Sequence, residues 1–380
     1  MIINTVIEEF SIPLSPPLVV STGGATRIFD MRNGAYFVVV HLGTRFVGEM
    51  VEPVFSVSES PDVLLEQNLH ALRKAERKLN QSQFDASNWV KELERILEDI
   101  GCAESTRLAA FAVEQAFVRL VAKLNSLPLY HVIYEWAFRE GHSKSAVKLV
   151  KLNTMFNSRM GESVAAASGC VKVKVGSTDP RADAALVNQV VHAQRKSGRW
   201  LRLDANQMWT VDQAVEFANG LTADAVNAIE YVEEPVIAGS IVELSASLEY
   251  LRKLSENWNL LTVALDESLL RTGVEDLLTK DKALRVIHKT FLHGLYFNRS
   301  IITTMADRVT ITCTFETGHG LSFLCSIAAA VNPDAFHGIH ALHSMINEDH
   351  VTKNFLACTQ SAANGSWIKL DDLEHLDDTK

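Results

Sequence analysis

Six residues carry the chemistry available to this chain: Lys172, Lys174, Asp204, Glu233, Asp266 and Lys289. Apart from Lys172, each closes a short apolar run. The runs succeed one another every ~20–35 residues, the size of a βα unit. Three consecutive runs end in carboxylates, and the runs on either side end in lysines. Carboxylates brought to one rim repel one another and need a cation between them. All-oxygen ligation selects a hard cation, Mg2+ first, with Mn2+ as a possible substitute. Adjacent acids leave the ligand set open at two places, Glu233 or Glu234 and Asp266 or Glu267.

A lysine with a reference pKa of about 10.4 is a poor base at neutral pH. A nearby cation, or a second lysine such as Lys172, would lower that value. Mg2+ on a substrate carboxylate would stabilise the dianion left when an α-proton departs. A lysine on each side of the substrate offers a base on either face, or one base and one electrostatic partner. The residue types therefore point to proton abstraction next to a carboxylate.

The elements that position these groups follow from periodicity. Residues 171–206 read as strand, helix, strand. Asp179 is placed to cap the helix, with Pro180 in its first turn. With period two, Lys172 and Lys174 share one side of their strand, and Arg202 and Asp204 one side of theirs. Lysines facing into a barrel are costly unless they line a site; otherwise they would be edge-strand lysines in solvent. Strand-like runs recur near 147–152, 171–175, 200–204, 229–233, 262–266, 285–289 and 309–314. Repeated βα units build a closed barrel or an open doubly wound sheet. No G-x-G-x-x-G follows the first run, so the barrel is preferred.

The segment before the repeats is different. Residues 1–60 read as β, with 37–42 and 46–51 flanking a hairpin turn at Gly43-Thr44. Two loops contain Gly24 and Phe55, and each taken alone is an ordinary surface loop. Arg27 follows the first loop and is placed to meet a substrate carboxylate or a surface acid. Three helices are expected over 61–135. The first starts at Ser60-Pro61-Asp62, the second ends at Gly101, and the third runs from about Ser105 to Asn125.

Composition sets the limits. The 380 residues are 47% hydrophobic and 22% charged, enough to bury a large core. A net charge of −10 argues against nucleic acid and anionic membrane surfaces as partners. Cys102, Cys170, Cys313, Cys325 and Cys358 are odd in number and lack metal-ligand spacing, which fits a reducing, cytoplasmic setting. No apolar run has the length of a transmembrane helix, and Met1-Ile2-Ile3 reads as strand rather than signal peptide. His319 and the His337, His340, His343 group lack acidic or cysteine company and read as structural.

Together the motifs resemble the enolase superfamily, in its muconate-lactonizing-enzyme subgroup. They are K-x-K at Lys172 and Lys174, D-x-N at Asp204 and Asn206, E-E-P at 233–235, D-E-S at 266–268, and the lone Lys289. The resemblance implies an α/β fold, a TIM-like (β/α)7β barrel over residues 131–342. An α+β capping domain would comprise residues 1–130, completed by 343–380. It selects Glu233 over Glu234 as ligand and Lys174 over Lys172 as base.

Thr314-Phe315-Glu316-Thr317-Gly318-His319-Gly320-Leu321 resembles the S-x-F-E-S-x-x-G-L of the o-succinylbenzoate synthases, and 338–342 their G-L-D-T-L. The Asp-x-Asp of dipeptide epimerases is missing near the last strand, and Lys289 stands where the mandelate-racemase branch would place a His–Asp pair. The resemblance implies dehydration of a small carboxylate substrate. Lys172, Asn206, Glu316, Thr314, Gly318, Gly24, Arg27 and Phe55 would bind the substrate or support the site. The chain departs from the pattern at Thr290-Phe291, at His293-Gly294, and in a long segment between Glu233 and Asp266. The oligomeric state is left open.

Overall fold

In the computed structural model, residues 1–22, 25–54, 60–101, 103–138, 147, 149–156, 169–194, 200–341, 345, 349–362 and 365–378 are described. The alternating N-terminal runs form an antiparallel sheet of β1 (Asn4–Thr22), β2 (Ala25–His41) and β3 (Thr44–Val51) in that order. The β2–β3 turn is Leu42-Gly43, one residue earlier than expected. Both residues have positive φ, 50° and 79°, as a two-residue hairpin turn of matching twist requires.

Four helices follow: α1 (Pro61–Leu79), α2 (Trp89–Ile100), α3 (Glu104–Asn125) and α4 (Leu129–Phe138). The fourth goes beyond the three expected. Its sequence is apolar on most sides, so no amphipathic stripe marks it. Helix α3 is the spine of this region, buried from Leu108 to Ala122. Strand β3 lies so close to it that a Cβ on Gly48 would sit 1.8 Å from the Ala112 carbonyl oxygen.

The βα repeats begin with β4 (Leu149–Leu152), β5 (Thr154–Phe156) and β6 (Cys170–Lys174). Then come α5 (Pro180–Gln194), β7 (Trp200–Asp204), α6 (Val211–Asn219), α7 (Ala223–Ala228) and β8 (Ile229–Glu233). The long segment before Asp266 is filled by α8 (Ile241–Leu254) and α9 (Glu256–Leu260). After β9 (Val263–Leu265) come α10 (Val274–Lys280), β10 (Arg285–Lys289), α11 (Thr290–His293) and α12 (Arg299–Thr304). The chain continues through β11 (Val309–Thr312), α13 (Gly318–Val331), β12 (Phe336–His337) and α14 (His350–Cys358) to β13 (Thr359–Ala362) and β14 (Gly365–Lys369).

Strands β5 to β11 form one parallel sheet in sequence order. The ring closes through the eighth strand. Gly338, just after β12, bridges Thr312 of β11, and β12 also pairs with β4, which runs directly into β5. This is a (β/α)7β barrel beside an α+β cap. The run 147–152 is not the first strand of the barrel sheet. Its ordered part, β4, lies between β12 and β14 in a separate four-stranded sheet, and the first barrel strand is the three-residue β5. Strand β5 is too short to leave a pattern in the sequence.

Period two holds inside the barrel. Tyr231, Ala264 and Ile287 form a small buried cluster of their own, two residues before Glu233, Asp266 and Lys289 on three adjacent strands. The apolar layer thus sits directly below the charged rim. At the C-terminal end, α14 packs on α13, and Leu370, Leu373 and Leu376 join the main core. Among the described residues, no helix is long and apolar enough to cross a membrane.

Candidate active site

Strand register brings the rim residues level. Lys174 lies opposite Asp204, and Asp204 opposite Glu233. Lys172 Nζ stands 2.9 Å from Asp204 Oδ2 and 2.7 Å from Glu233 Oε2, and donates to Glu233 Oε1 at 2.8 Å. Lys174 Nζ is 2.8 Å from Asp204 Oδ2 and donates to Asn206 Oδ1. The Asn206 backbone N–H donates to Asp204 Oδ1 at 3.1 Å. Across the rim, Lys289 Nζ is 2.5 Å from Asp266 Oδ2 and 3.2 Å from Glu267 Oε1. The lysines differ in access: the Lys174 side chain is 47% exposed, against 13% for Lys172 and 10% for Lys289.

Burial and charge compete here. Burial alone would raise Asp204, but Lys172 and Lys174 outweigh it and hold the acid well below the usual carboxylate range. Burial raises Glu233, and Asp204 beside it adds to the effect. Burial and Glu267 raise Asp266 strongly, although Lys289 touches it. Burial would lower Lys172 and Lys289; the surrounding carboxylates outweigh it and push both up. The lowering of the lysines expected from a nearby cation is therefore not a property of the protein atoms alone.

The donor set suits a hard divalent cation. Asp266 Oδ1 is buried with no hydrogen-bond partner, and Glu233 Oε2 is close to Lys172 without hydrogen-bond alignment. A desolvated carboxylate oxygen without a donor, as at Asp266 Oδ1, favours a cation, whereas Glu233 Oε2 already faces the Lys172 ammonium. Among the described residues, no three His, Cys, Asp or Glu side chains are gathered around a single metal-sized point. The ammonium groups stand between the acids instead.

Glu234 has a different job from Glu233. Its backbone has φ 44°, and its carboxylate points to the next loop. Oε1 accepts from the N–H groups of Asp266 and Ser268, and Oε2 from the Ser268 hydroxyl, all at 2.8 Å. Burial and Glu267 push Glu234 up to about 7. Asn206, Gln207 and Phe315 also have positive φ, at 47°, 59° and 69°. Non-glycine residues pay strain for this conformation, and such positions gather at functional loops.

The 314–320 segment is tied to the cap. The Thr314 N–H donates to both Glu316 carboxylate oxygens at 2.8 and 2.7 Å, and its hydroxyl donates to Glu316 Oε1. Arg32 of β2 donates to the carbonyls of Phe315 at 2.9 Å and Thr314 at 2.8 Å, and to that of Glu52. Glu49 of β3 accepts from Thr317 N–H, Thr317 hydroxyl and Gly320 N–H, each at 2.7 Å. Gly318 N–H donates to the Thr352 hydroxyl at 2.9 Å, and a Cβ there would lie 2.3 Å from the Val351 carbonyl oxygen. Thr314, Glu316 and Gly318 thus hydrogen-bond at the cap–barrel joint, not to the rim lysines and carboxylates.

Arg27 is exposed on β2, opposite Val20, and away from these contacts. Gly24, Phe55 and His343 lie outside the described residues. His337 is structural: Nδ1 accepts from Ile311 N–H at 3.0 Å, and Nε2 is 2.9 Å from the Asn332 carbonyl oxygen. The His319 ring packs edge-on to Tyr36. Sequence reasoning missed Arg32 and Glu49. Glu49 is signalled only as a charge inside the apolar run 46–51, and Arg32, between Asp30 and Asn33, carries no such signal.

The family model of the enolase C-terminal domain-like proteins matches residues 157–362. The o-succinylbenzoate synthase of Enterobacter sp. (strain 638) is 30% identical over 189 residues, 48% of this chain and 55% of that protein. The chain spans about half the length of the curated relatives it matches. Among solved structures, a dipeptide epimerase from Enterococcus faecalis V583, complexed with Mg and the dipeptide L-Leu-L-Tyr, superposes with a TM-score of 0.69. It is 20% identical, and the match covers 97% of each chain. The o-succinylbenzoate synthase of Thermosynechococcus elongatus BP-1, complexed with Mg, gives a TM-score of 0.63 at 18% identity, over 88% of this chain and 92% of that one. At such identities the structural likeness speaks for the fold. The family match covers more than half of the sequence, and this chain belongs to the enolase superfamily, through the enolase C-terminal domain-like family.

Proposed function

We propose that the chain is an o-succinylbenzoate synthase, acting in menaquinone or phylloquinone synthesis in the cytoplasm. It would dehydrate 2-succinyl-6-hydroxy-2,4-cyclohexadiene-1-carboxylate to 2-succinylbenzoate, as a metal-dependent carbon–oxygen lyase. The observation that carries the reading is the rim itself. Three carboxylates on adjacent strands are interleaved with lysines from both sides, and Lys174 is half-exposed at the mouth. The identity to o-succinylbenzoate synthases supports this activity over others in the subgroup. In this reading residues 131–342 are the catalytic barrel, capped by 1–130 and 343–380.

Asp204, Glu233 and Asp266 would hold Mg2+, which supplies Lewis-acid charge to the substrate carboxylate. Lys174 takes the α-proton and later gives a proton to the leaving hydroxyl on the same face. Lys172, shut in behind Asp204 and Glu233, holds those acids in place. Lys289 stands opposite and stabilises the developing anion by charge. Glu234 fixes the Asp266–Ser268 backbone, and Asn206 orients Lys174.

A second reading is an N-acylamino-acid racemase, in which both lysines act as bases. It draws on the lysines placed on both sides of the carboxylates and on the epimerase-like fold. Assay of purified protein with the cyclohexadiene substrate and with N-succinyl amino acids separates the two. Dehydration at the higher kcat/KM is expected. Racemisation without dehydration would replace this reading by the second.

A further inference from the structure

We propose that the cleft between α1 and α2 is a second ligand site, separate from the barrel mouth, that takes a small amphipathic carboxylate. Both helices pack on α3 and meet each other at only a few positions. The gap measures about 510 Å³, within the usual range for small-molecule sites of about 300–1,000 Å³. Its apolar floor is Ala71, Ala75 and Leu79 of α1, with Ile96 and Ile100 of α2. The two alanines are what leave the room.

The rim is cationic. Lys74, Lys78 and Arg95 line the cleft with a single acid, Asp99. Lys78 and Arg95 both pair with Asp99, and Arg95 also pairs with Glu92 at 2.6 Å. Lys74 makes no ion pair among the described residues, and its charge is felt at Asp99. With Lys78 and Arg95 matched by Asp99 and Glu92, Lys74 is the charge left over, on a chain whose net charge is −10. The floor favours a hydrocarbon or aromatic body over an inorganic anion, and the rim favours a carboxylate over an ammonium head. The proposal does not depend on the barrel chemistry.

The test uses octanoate as probe, titrated calorimetrically into the full chain, with octylamine and acetate as controls. Octanoate should bind with one-to-one stoichiometry, and octylamine and acetate at least about tenfold more weakly. Ala75→Trp, which fills the cleft, should abolish octanoate binding. Lys74→Glu, at an exposed position without an ion pair among the described residues, should weaken it about tenfold, and this variant decides the matter if Ala75→Trp does not fold. The proposal is overturned if octanoate does not bind at up to about 10 mM, if octylamine binds equally well, or if the affinity is unchanged in Lys74→Glu.

Discussion

At the scale of single residues, the three lysines of the rim are not equivalent. All three are paired with acids, but Lys174 is half-exposed, whereas Lys172 and Lys289 are largely shielded from solvent. Syn dehydration needs one base that returns as acid. Lys174→Ala should therefore abolish dehydration, and wild-type rates in that variant would sink the assignment. Lys289→Ala should cost roughly 3–4 kcal/mol of transition-state stabilisation if its charge acts like an oxyanion-hole donor. Lys289→Arg keeps the charge but cannot serve as a base, so partial rescue of dehydration is expected. Solvent deuterium exchange into an N-succinyl amino acid reads the faces separately: no exchange into one enantiomer with Lys174→Ala, and into the other with Lys289→Ala. Asp204→Asn, Glu233→Gln and Asp266→Asn should each remove most activity, and exhaustive chelation should do the same; full activity after chelation would exclude a metal role. These residues are legible in the sequence because period two and strand-end position both single them out. Glu234 is not, since two consecutive acids differ only in the local backbone, and the positive φ of Glu234 is set by the fold.

At the scale of elements, the joint between the β2–β3 ribbon and the start of α13 is what the sequence hides. Arg32 and Thr314 are 282 residues apart, and Glu49 and Thr317 are 268 apart. No local pattern links groups so distant, and the apolar alternation of β3 only marks Glu49 as out of place. Glu49 accepts two backbone N–H groups and a hydroxyl at the helix start. In Glu49→Gln the amide nitrogen cannot accept, so one buried donor loses its partner. That should cost about 1–3 kcal/mol in denaturant unfolding. A change within about 0.3 kcal/mol would show that the latch does not hold the joint. Short strands are equally hidden. β5 is three residues long, and the stronger run just before it, β4, belongs to a different sheet. The barrel strands from β6 onward are legible because each is an apolar run ending in a polar residue at even spacing.

At the scale of the molecule, cap and barrel are joined through buried acids, which ties stability to pH. Glu49 and Glu114 are both buried at this joint, and burial pushes each up to about 7 from 4.5. Glu114 of α3 accepts from Trp136 of α4 and, at 3.4 Å, from the Tyr296 N–H in the barrel domain. A carboxyl with a raised folded pKa keeps its proton longer in the folded state than in the unfolded chain. Folding is then favoured below about 4.5, and the advantage is lost between about 4.5 and 7. Buried His288, His319 and His337, lowered to about 3 by burial, act in the opposite sense between about 3 and 6.5. The pH profile of the wild type alone therefore mixes two signs, and a variant must isolate the acid. Glu114→Gln removes the titration while leaving the histidines untouched. Relative to wild type, the variant should gain stability as pH rises from about 4.5 to 7, by roughly 3 kcal/mol at most for a shift of this size, and the gap should level off above about 7. Urea unfolding of both proteins at several pH values across that window reads the difference directly. A gap that stays constant with pH would mean that Glu114 titrates alike folded and unfolded, and that its burial does not couple the joint to pH.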